Sequence, residues 1–224
     1  YTDVYTPAKG VHPTSFDYVL GRVKQSGVPI TKIGQGGPPC GFGGPPSCSL
    51  SGLTSGVYLA TSEFIAGGDN LNVVGTVSVP ANTKIIILVT GNLTIGNTGF
   101  TTSISVPKTS SLTFIVKGDI HIDKRVGVAW NSAEARIEGF YSADGSFIIE
   151  GNQDNCVTPD NRLNLEGSII VNAGGGGGQV VNNRSLCTND ATCPVVTVEG
   201  RPDFILNAPE SLKQLNTIYQ EVAP

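Results

Sequence analysis

Apolar residues near the start of the chain recur with the period of an α-helix. One apolar stripe with the spacing i, i+3, i+4 and i+7 is formed by Phe16, Val19, Leu20 and Val23. Thr14 or Ser15 can cap the start of this helix, and Gly27 can close it. The pattern therefore predicts one short helix. It is followed by a Gly- and Pro-rich stretch over residues 34–48 that we expect to be a loop.

From about Leu71 onward, short Val, Ile and Thr runs alternate with Gly and Asn. Three segments align on the glycines Gly91, Gly118 and Gly145, and the two steps between these glycines are equal. A fourth, shorter copy, LNLEGSIIVNAG, aligns on Gly167 after a shorter step. Repeats with a period of roughly 20–50 residues are typical of solenoids, whose coils bury their inward residues only when they stack. We therefore expect a mainly β protein with a β-solenoid-like body and short N- and C-terminal helices, and a β-sandwich is the alternative.

The end of the chain is predicted to close this body. Residues 204–206 read as a strand, and Asn207-Ala208-Pro209 reads as a helix entry. A short apolar stripe follows, formed by Leu212, Leu215 and Ile218 or Tyr219. This terminal helix could cap one open end of a solenoid and the N-terminal helix the other. The expected domains are residues 1–70 for the helix and the Gly/Pro loop, 71–206 for the body and 207–224 for the capping segment.

Composition favours an extracellular β protein over a cytosolic enzyme. Only 14% of the residues are charged, and the net charge of −4 gives no basic surface for nucleic acid or anionic membranes. No apolar run approaches the roughly 20 residues that span a bilayer. The chain starts at Tyr1 with neither an initiator Met nor a secretory signal, so we expect that a signal, an anchor or a larger precursor has been removed.

The cysteine spacing predicts disulfides. Cys40 and Cys48 flank one short loop, and Cys187 and Cys193 flank another, which favours two local disulfides and an oxidising compartment. Cys156 is then free or intermolecular, unless it competes for a partner among the other four. No spacing resembles a zinc site, so we do not expect the cysteines to bind a metal.

One short segment, VKGDIHID, places polar residues at alternate positions: Asp119, His121 and Asp123. In a strand these three side chains would share one face. The outer two would lie about 13 Å apart, so all three cannot bind one ion without a bulge. In the register set by the equal glycine steps, the neighbours of His121 are Thr94 and Ile148, which are poor ligands. We therefore expect a solvated outer face, with Asp119 and His121 as weak metal candidates.

The other candidate sites are weaker. A calcium loop could use Glu150, Asp154 and Asp160, although the ordered acidic spacing of such loops is missing. The candidates for a carbohydrate-cleaving site are Lys117 with Asp119, and a second set of Glu134, Arg136 and Glu138. The second set is better explained as an exposed strand face with paired charges. A sugar-stacking patch could be built from Trp130, Phe140 and Tyr141, but packing in the core or a turn is the simpler interpretation. No nucleophile motif occurs, so we expect no catalytic residue and no cofactor.

The later two-thirds of the chain resembles a known class of proteins. The segments FIVKGDIHID, ARIEGFYSADGSFIIEG and LNLEGSIIVNAG and the final QEVAP are similar to the C-terminal region of large, uncharacterised cell-surface proteins of candidate-phyla bacteria. A similar pattern occurs in PilX-like pilus-assembly proteins and in bactofilins, which are β-solenoids. The resemblance covers about residues 85–224. It implies a surface-exposed or appendage-associated β protein and supplies no catalytic residues.

These observations favour a non-enzymatic extracellular structural protein, a subunit or terminal domain of a cell-surface filament or appendage such as a pilus. The alternatives are an adhesin that binds carbohydrate and a β-helix enzyme that degrades polysaccharide. The expected partners are further copies of the chain or other surface proteins, with a glycan under the adhesin alternative.

The N-terminal segment YTDVYTP is a candidate for assembly. It alternates weakly, with Tyr1 and Tyr5 on one face and Val4 on the other, and Pro7 ends it. A short β-prone tail can add as a strand to an open sheet edge of another subunit. We therefore predict that residues 1–7 contact a neighbouring subunit, whereas a frayed or self-docked terminus is the other interpretation.

Overall fold

The structure is a computed structural model, and it describes residues 15–33, 47–48, 50–60, 70–97, 101–152, 156–171 and 177–213. The helices are α1 (Ser15–Gln25), α2 (Pro202–Leu206) and α3 (Glu210–Lys213), with a 3-10 turn at Cys187–Ala191. The strands are β1 (Ile30–Ile33), β2 (Ser47–Cys48), β3 (Gly56–Ala60), β4 (Leu71–Val73), β5 (Thr76–Ser78), β6 (Lys84–Val89), β7 (Leu93–Ile95), β8 (Ser103–Ser105), β9 (Ser111–Val116), β10 (Ile120–Ile122), β11 (Ile137–Ala143), β12 (Phe147–Ile149), β13 (Leu163–Val171), β14 (Val180–Asn182) and β15 (Val196–Glu199).

These strands stack into a β-solenoid. Within the described residues, nine strands form sheet A and six form sheet B, and every ladder between strands is parallel. A β-sandwich is built from antiparallel sheets. The prediction of a β-solenoid with short helices near both ends is therefore confirmed. Because β1, β2 and β3 belong to the same sheets, the solenoid begins before residue 71.

Each complete coil has three sides. Side A consists of β1, β3, β6, β9 and the second halves of β11 and β13. Side B is sheet B, in the order β2, β4, β7, β10, β12 and β14. Side C consists of β5, β8, the first halves of β11 and β13, and β15. The chain passes from A to B to C in every coil.

The corner between sides A and B explains the equal steps of the sequence repeat. Gly118 donates its N–H to Gly91 at 3.0 Å, and Gly145 donates to Gly118 at 3.1 Å, so the three aligned glycines stack. A Cβ on Gly118 would lie 2.9 Å from the Gly91 carbonyl oxygen, closer than such atoms normally approach. Glycine is required here by the close approach of one coil to the next.

The fourth predicted repeat is aligned differently. Gly167 lies opposite Gly139 in the β11–β13 ladder, and not in the column of Gly145. Here the chain runs from side C to side A within one continuous strand, and it bends at these two glycines, which have φ of +148° and +145°. The alignment of Gly167 with the other three glycines was therefore wrong, because Gly167 marks another corner of the coil.

The interior is a set of apolar columns that run along the solenoid axis. Strands of side B alternate buried and partly exposed residues, as in Ile120, His121 and Ile122 of β10. The core also holds an aromatic stack, in which the Tyr141 ring lies 5.4 Å from that of Phe114 and 6.1 Å from that of Phe147. Aromatic rings at these separations attract one another beyond the area that they bury.

Helix α1 forms where the sequence predicts it, and it packs on the outer surface of side A. Its apolar stripe covers outward-facing residues of three strands: Val57, Ile86, Leu88 and Ile115. Gly27, with φ of +67°, follows its last turn. The start of the helix is held by Asp144, whose carboxylate accepts hydrogen bonds from the Ser15 hydroxyl and the Phe16 N–H. The expected placement of this helix over a solenoid end was wrong, because its apolar face matches the apolar outer face of side A.

The C-terminal segment differs from its prediction in one element. Residues 204–206 belong to helix α2 and are not a strand, because Pro202 starts a helical turn and Phe204 becomes buried on one side of it. Helix α3 begins after Pro209, as predicted. The turn between the two helices is fixed to side A, since Asn207 accepts a hydrogen bond from Ser111 and donates one to the Lys108 carbonyl. The described helices therefore lie on a side of the solenoid and not across its ends.

The bend at Gly167 gives a test of this register. Replacing Gly167 with Ala should lower the free energy of unfolding by about 3 kcal/mol, because the residue has a positive φ and a Cβ would meet the Gly139 carbonyl. Gly200→Ala is the matched control, since its Cβ would have no neighbour within 4 Å, and we expect a change within about 1 kcal/mol. Urea unfolding followed by circular dichroism measures both. Equal effects would contradict the register.

Candidate functional site

Inward-facing apolar side chains of the last described coil are exposed to solvent at the C-terminal end of the solenoid. On side C, one inward column runs through Val77, Ile104, Ile137, Leu165 and Val198. The first four residues are at most 2% exposed, whereas Val198 in β15 is 47% exposed. Their chemistry is the same, so the difference comes from position along the axis: within the described part of the chain, no strand stacks beyond β15.

Side B repeats this observation independently. Its inward column consists of Leu71, Leu93, Ile120, Phe147 and Val180. The first four residues are 0% exposed, and Val180 in β14 is 54% exposed. On side A, the inward residues Ile169 and Val171 of β13 are only partly buried. We call the apolar inward residues of these last strands the end surface: Ile169, Val171, Val180, Val196 and Val198.

The end surface also carries strand edges. In the described residues β14 and β15 each pair with one neighbour, so the backbone groups on their other side have no ladder. Such edges are ready to pair with another strand unless something blocks them. The surface therefore offers both apolar side chains and unpaired backbone groups.

Acidic side chains border the end surface on side C. Glu138, Glu166 and Glu199 occupy the same position in three adjacent parallel strands, which lie about 4.8 Å apart. Arg201 partly neutralises this column: its guanidinium is 2.6 Å from the Glu138 carboxylate and 3.9 Å from that of Glu166. The outermost member, Glu199, is exposed.

Arg201 also fixes the start of the C-terminal segment. It pairs with Asp203 at 2.5 Å, and its guanidinium lies 4.3 Å from the centre of the Phe204 ring. The hydrogen bond from Arg201 holds the pKa of Asp203 below its usual value, and the same bond raises the pKa of Arg201. The cluster is therefore an ion-paired contact between α2 and the solenoid body.

Three loops meet at the corner between sides B and C, and a buried arginine joins them. Arg184 donates to four backbone carbonyls, at 2.7 to 3.0 Å, those of Asp123, Val126, Glu150 and Asn161. Burial lowers the pKa of Arg184 to about 10, so it stays charged at neutral pH. Asp160 adds a second link, because it accepts hydrogen bonds from the Asn152 and Ser185 N–H groups. These bonds hold together the loops that support the last coils.

A disulfide crosslinks two of these loops, but it differs from the expected one. Cys156 is bonded to Cys187, with their Cα atoms 5.5 Å apart, and Cys193 is a free thiol. The predicted pairing of Cys187 with Cys193 and the assignment of Cys156 as unpaired were both wrong. The two loops belong to adjacent coils. Stacking of these coils brings Cys156 next to Cys187, although the two residues are 31 positions apart in the sequence. The pairing of Cys40 and Cys48 lies outside the described residues.

The alternating polar segment does not form one face. Strand β10 covers only Ile120–Ile122, so Asp119 and Asp123 lie in the corners on either side of it. The neighbours of His121 are Thr94 and Ile148, as predicted, and its Nδ1 is 3.2 Å from the Glu150 carboxylate.

The two aspartates have different structural roles. Asp119 accepts a hydrogen bond from the Ser146 N–H, and it continues a corner ladder in which Asn92 accepts the Asp119 N–H. Asp123 is buried and bonded to the Arg125 side chain, which holds the pKa of Asp123 below its usual value. The expected common solvated face was therefore wrong for both aspartates, because each side of the coil is too short to include them.

The other charged candidates are also used in structural contacts. The Lys117 ammonium lies 5.9 Å from the centre of the Phe16 ring in α1. β11 begins after Arg136, whose side chain donates a hydrogen bond to the Thr102 carbonyl. Glu138 pairs with Arg201. The predicted strand face with paired charges was therefore wrong. For the calcium loop, Asp154 lies outside the described residues. No group of three or more His, Cys, Asp or Glu that could hold a metal occurs in the part of the chain that the structure describes.

The three aromatic candidates are separated. Tyr141 is in the core, where burial raises its pKa, and its hydroxyl donates to the Glu138 carbonyl. Phe140 lies on the outer face of side A, and Trp130 is 41% exposed in the loop between sides B and C. Core packing was therefore the correct interpretation for Tyr141, and the three rings do not form one sugar-stacking patch.

Comparisons with protein-family models, curated proteins and solved structures find no match to this chain. Among the described helices, none is long and apolar enough to cross a membrane.

Sequence reasoning missed the residues of the end surface. Val180 and Val198 have the same alternating pattern as buried strand residues, so only their place in the last coil distinguishes them. The sequence could have indicated Arg184, because an arginine beside a strand is unusual in a protein with so few charged residues. The chain order of the coils would have identified the last strands, if the repeat on Gly167 had been aligned correctly.

The observed disulfide can be tested against the free thiol. Cys156→Ser should lower the free energy of unfolding by about 3 kcal/mol, because the bond closes a loop with a sequence separation of 31 residues. Cys193→Ser is the control and should change it by less than about 0.5 kcal/mol. Peptide mapping without reduction should recover Cys156 linked to Cys187. A Cys187–Cys193 peptide would overturn the assignment.

Proposed function

We propose that this chain is a non-enzymatic extracellular structural protein, a subunit or terminal domain of a cell-surface filament or appendage. The observation that carries the proposal is the end surface, where interior side chains such as Val180 and Val198 are about half exposed. A further coil stacked on β14 and β15 would bury them as their counterparts are buried inside the solenoid. A second copy of the chain is the partner that supplies such coils.

Energetics favour a contact that uses backbone and side chains together. Full burial of one Val contributes about 1.5–3 kcal/mol, whereas association costs on the order of 4–15 kcal/mol. The apolar residues of the end surface must therefore act with ladder hydrogen bonds at the open edges. A head-to-tail contact that does not close on itself generates a filament.

Three features support an extracellular location. The Cys156–Cys187 disulfide is the kind of bond that persists in oxidising compartments. The low content of charged residues and the resemblance to bacterial cell-surface proteins point in the same direction.

Assembly is favoured over the two competing functions. An adhesin that binds carbohydrate by stacking would gain from clustered exposed rings, but Trp130 and Phe140 lie on different parts of the coil. A polysaccharide-degrading enzyme would need carboxylates directed at a substrate, but Glu138 and Asp203 are paired with Arg201.

The end surface predicts the effect of a pair of substitutions. Val180→Lys combined with Val198→Lys should weaken self-association at least tenfold, since losing about 1.4 kcal/mol is enough for that factor. Val157→Lys is the matched control, because Val157 is 83% exposed in a corner loop and lies outside the end surface. Sedimentation velocity over a concentration series, with electron microscopy of the most concentrated samples, gives the readout. A wild-type chain that stays monomeric throughout would contradict the proposal.

The N-terminal segment stays a prediction, because Tyr1, Val4 and Tyr5 lie outside the described residues. If residues 1–7 supply a strand to a neighbouring subunit, their deletion should reduce assembly in the same sedimentation assay. Undiminished polymers would remove this segment from the contact and leave the end surface as its basis.

A further inference from the structure

A cavity of about 320 Å³ lies on the outer surface of side A. Its walls come from α1, from the outward residues of β9, β11 and β13, and from the segment that carries α2 and α3. The lining is mainly apolar and includes Val19, Ile115, Phe140, Ile170, Phe204 and Leu212. Both its size and its apolar walls are those of natural binding sites, which are also mostly apolar.

Among the described residues, this cavity is the part of an apolar face that no helix covers. One outward column of side A consists of Leu59, Leu88, Ile115, Ser142 and Ile170. Helix α1 packs over Leu88 and Ile115, whereas Ile170 at the far end is 46% exposed. Beside it, Ile205 on the α2 wall is 72% exposed. The column is therefore buried at Leu88 and Ile115 and exposed at Ile170.

The few hydroxyl groups in the lining do not call for a polar ligand. The Ser15 hydroxyl lies 2.9 Å from that of Ser142 and donates to the Asp144 carboxylate at 2.9 Å. The Ser15 and Ser142 hydroxyls are therefore already hydrogen-bonded. The remaining wall is suited to apolar side chains.

We propose that residues 214–224 of the same chain bind in this cavity. Leu212 already lines it and Lys213 ends α3, so the eleven following residues start at its edge. Their apolar residues Leu215 and Ile218 continue the spacing of three that begins at Leu212. If helical, eleven residues extend about 16 Å, which crosses about three strands at roughly 4.8 Å each. That reach is enough to cover Phe140 and Ile170, which α1 leaves accessible.

Thiol labelling tests this contact in the full-length chain. Ile170→Cys in a Cys193→Ser background places a probe in the cavity wall, and the parent without the new cysteine supplies the background rate. The double substitution Leu215→Lys with Ile218→Lys should accelerate labelling of this probe at least tenfold. Deletion of residues 214–224 should have the same effect. Asn216→Lys with Gln220→Lys is the matched control and should leave the rate unchanged.

A second probe separates local uncovering from general loosening. Trp130→Cys has similar exposure, since Trp130 is 41% exposed, and it lies in the loop between sides B and C. Its labelling rate should be the same in every tail variant. Equal rates at Ile170→Cys in all variants would overturn the proposal. Protection that disappears on dilution would also overturn it, because the cover would then come from a second copy.

Discussion

Stacking of parallel coils in register is the interaction on which the rest of the structure depends. An inward side chain in one coil is buried by the coils before and after it, together with the other sides of its own coil. Ile137 and Leu165 are almost fully buried for this reason, while Val198 in the same column is about half exposed. Contacts between neighbouring coils therefore stabilise the fold, and a coil at an end of the stack has such contacts on one side only.

Register is fixed at the corners. Gly118 and Gly145 let the backbone of one coil approach the next, and Asp119 bonds to the corner of the following coil. At the corner between sides B and C, Arg184 and the Cys156–Cys187 disulfide join loops of different lengths. A slip of one residue would turn every interior side chain outward and would break these bonds.

The outer surface of side A is the second feature that needs cover. A solenoid side normally faces water, but here α1 lies on apolar outward residues of β3, β6 and β9: Val57, Ile86, Leu88 and Ile115. The helices near both ends of the chain therefore serve one side of the solenoid. Among the described residues no strand stacks on β14 or β15, so the lateral cover and the proposed contact with another subunit would use different surfaces.

The sequence by itself determined what depends on local period. Spacing along the sequence is enough to predict the alternation within strands and the apolar stripe of α1. The repeat step is enough to predict the stacked glycines Gly91, Gly118 and Gly145 and the neighbours of His121. Tertiary structure alone decided the partner of Cys156, the corner positions of Asp119 and Asp123, the bend at Gly167 and the side on which the helices lie. Each of these depends on how loops of unequal length align when coils stack. That alignment is set by contacts between residues far apart in the chain, and no local pattern records it.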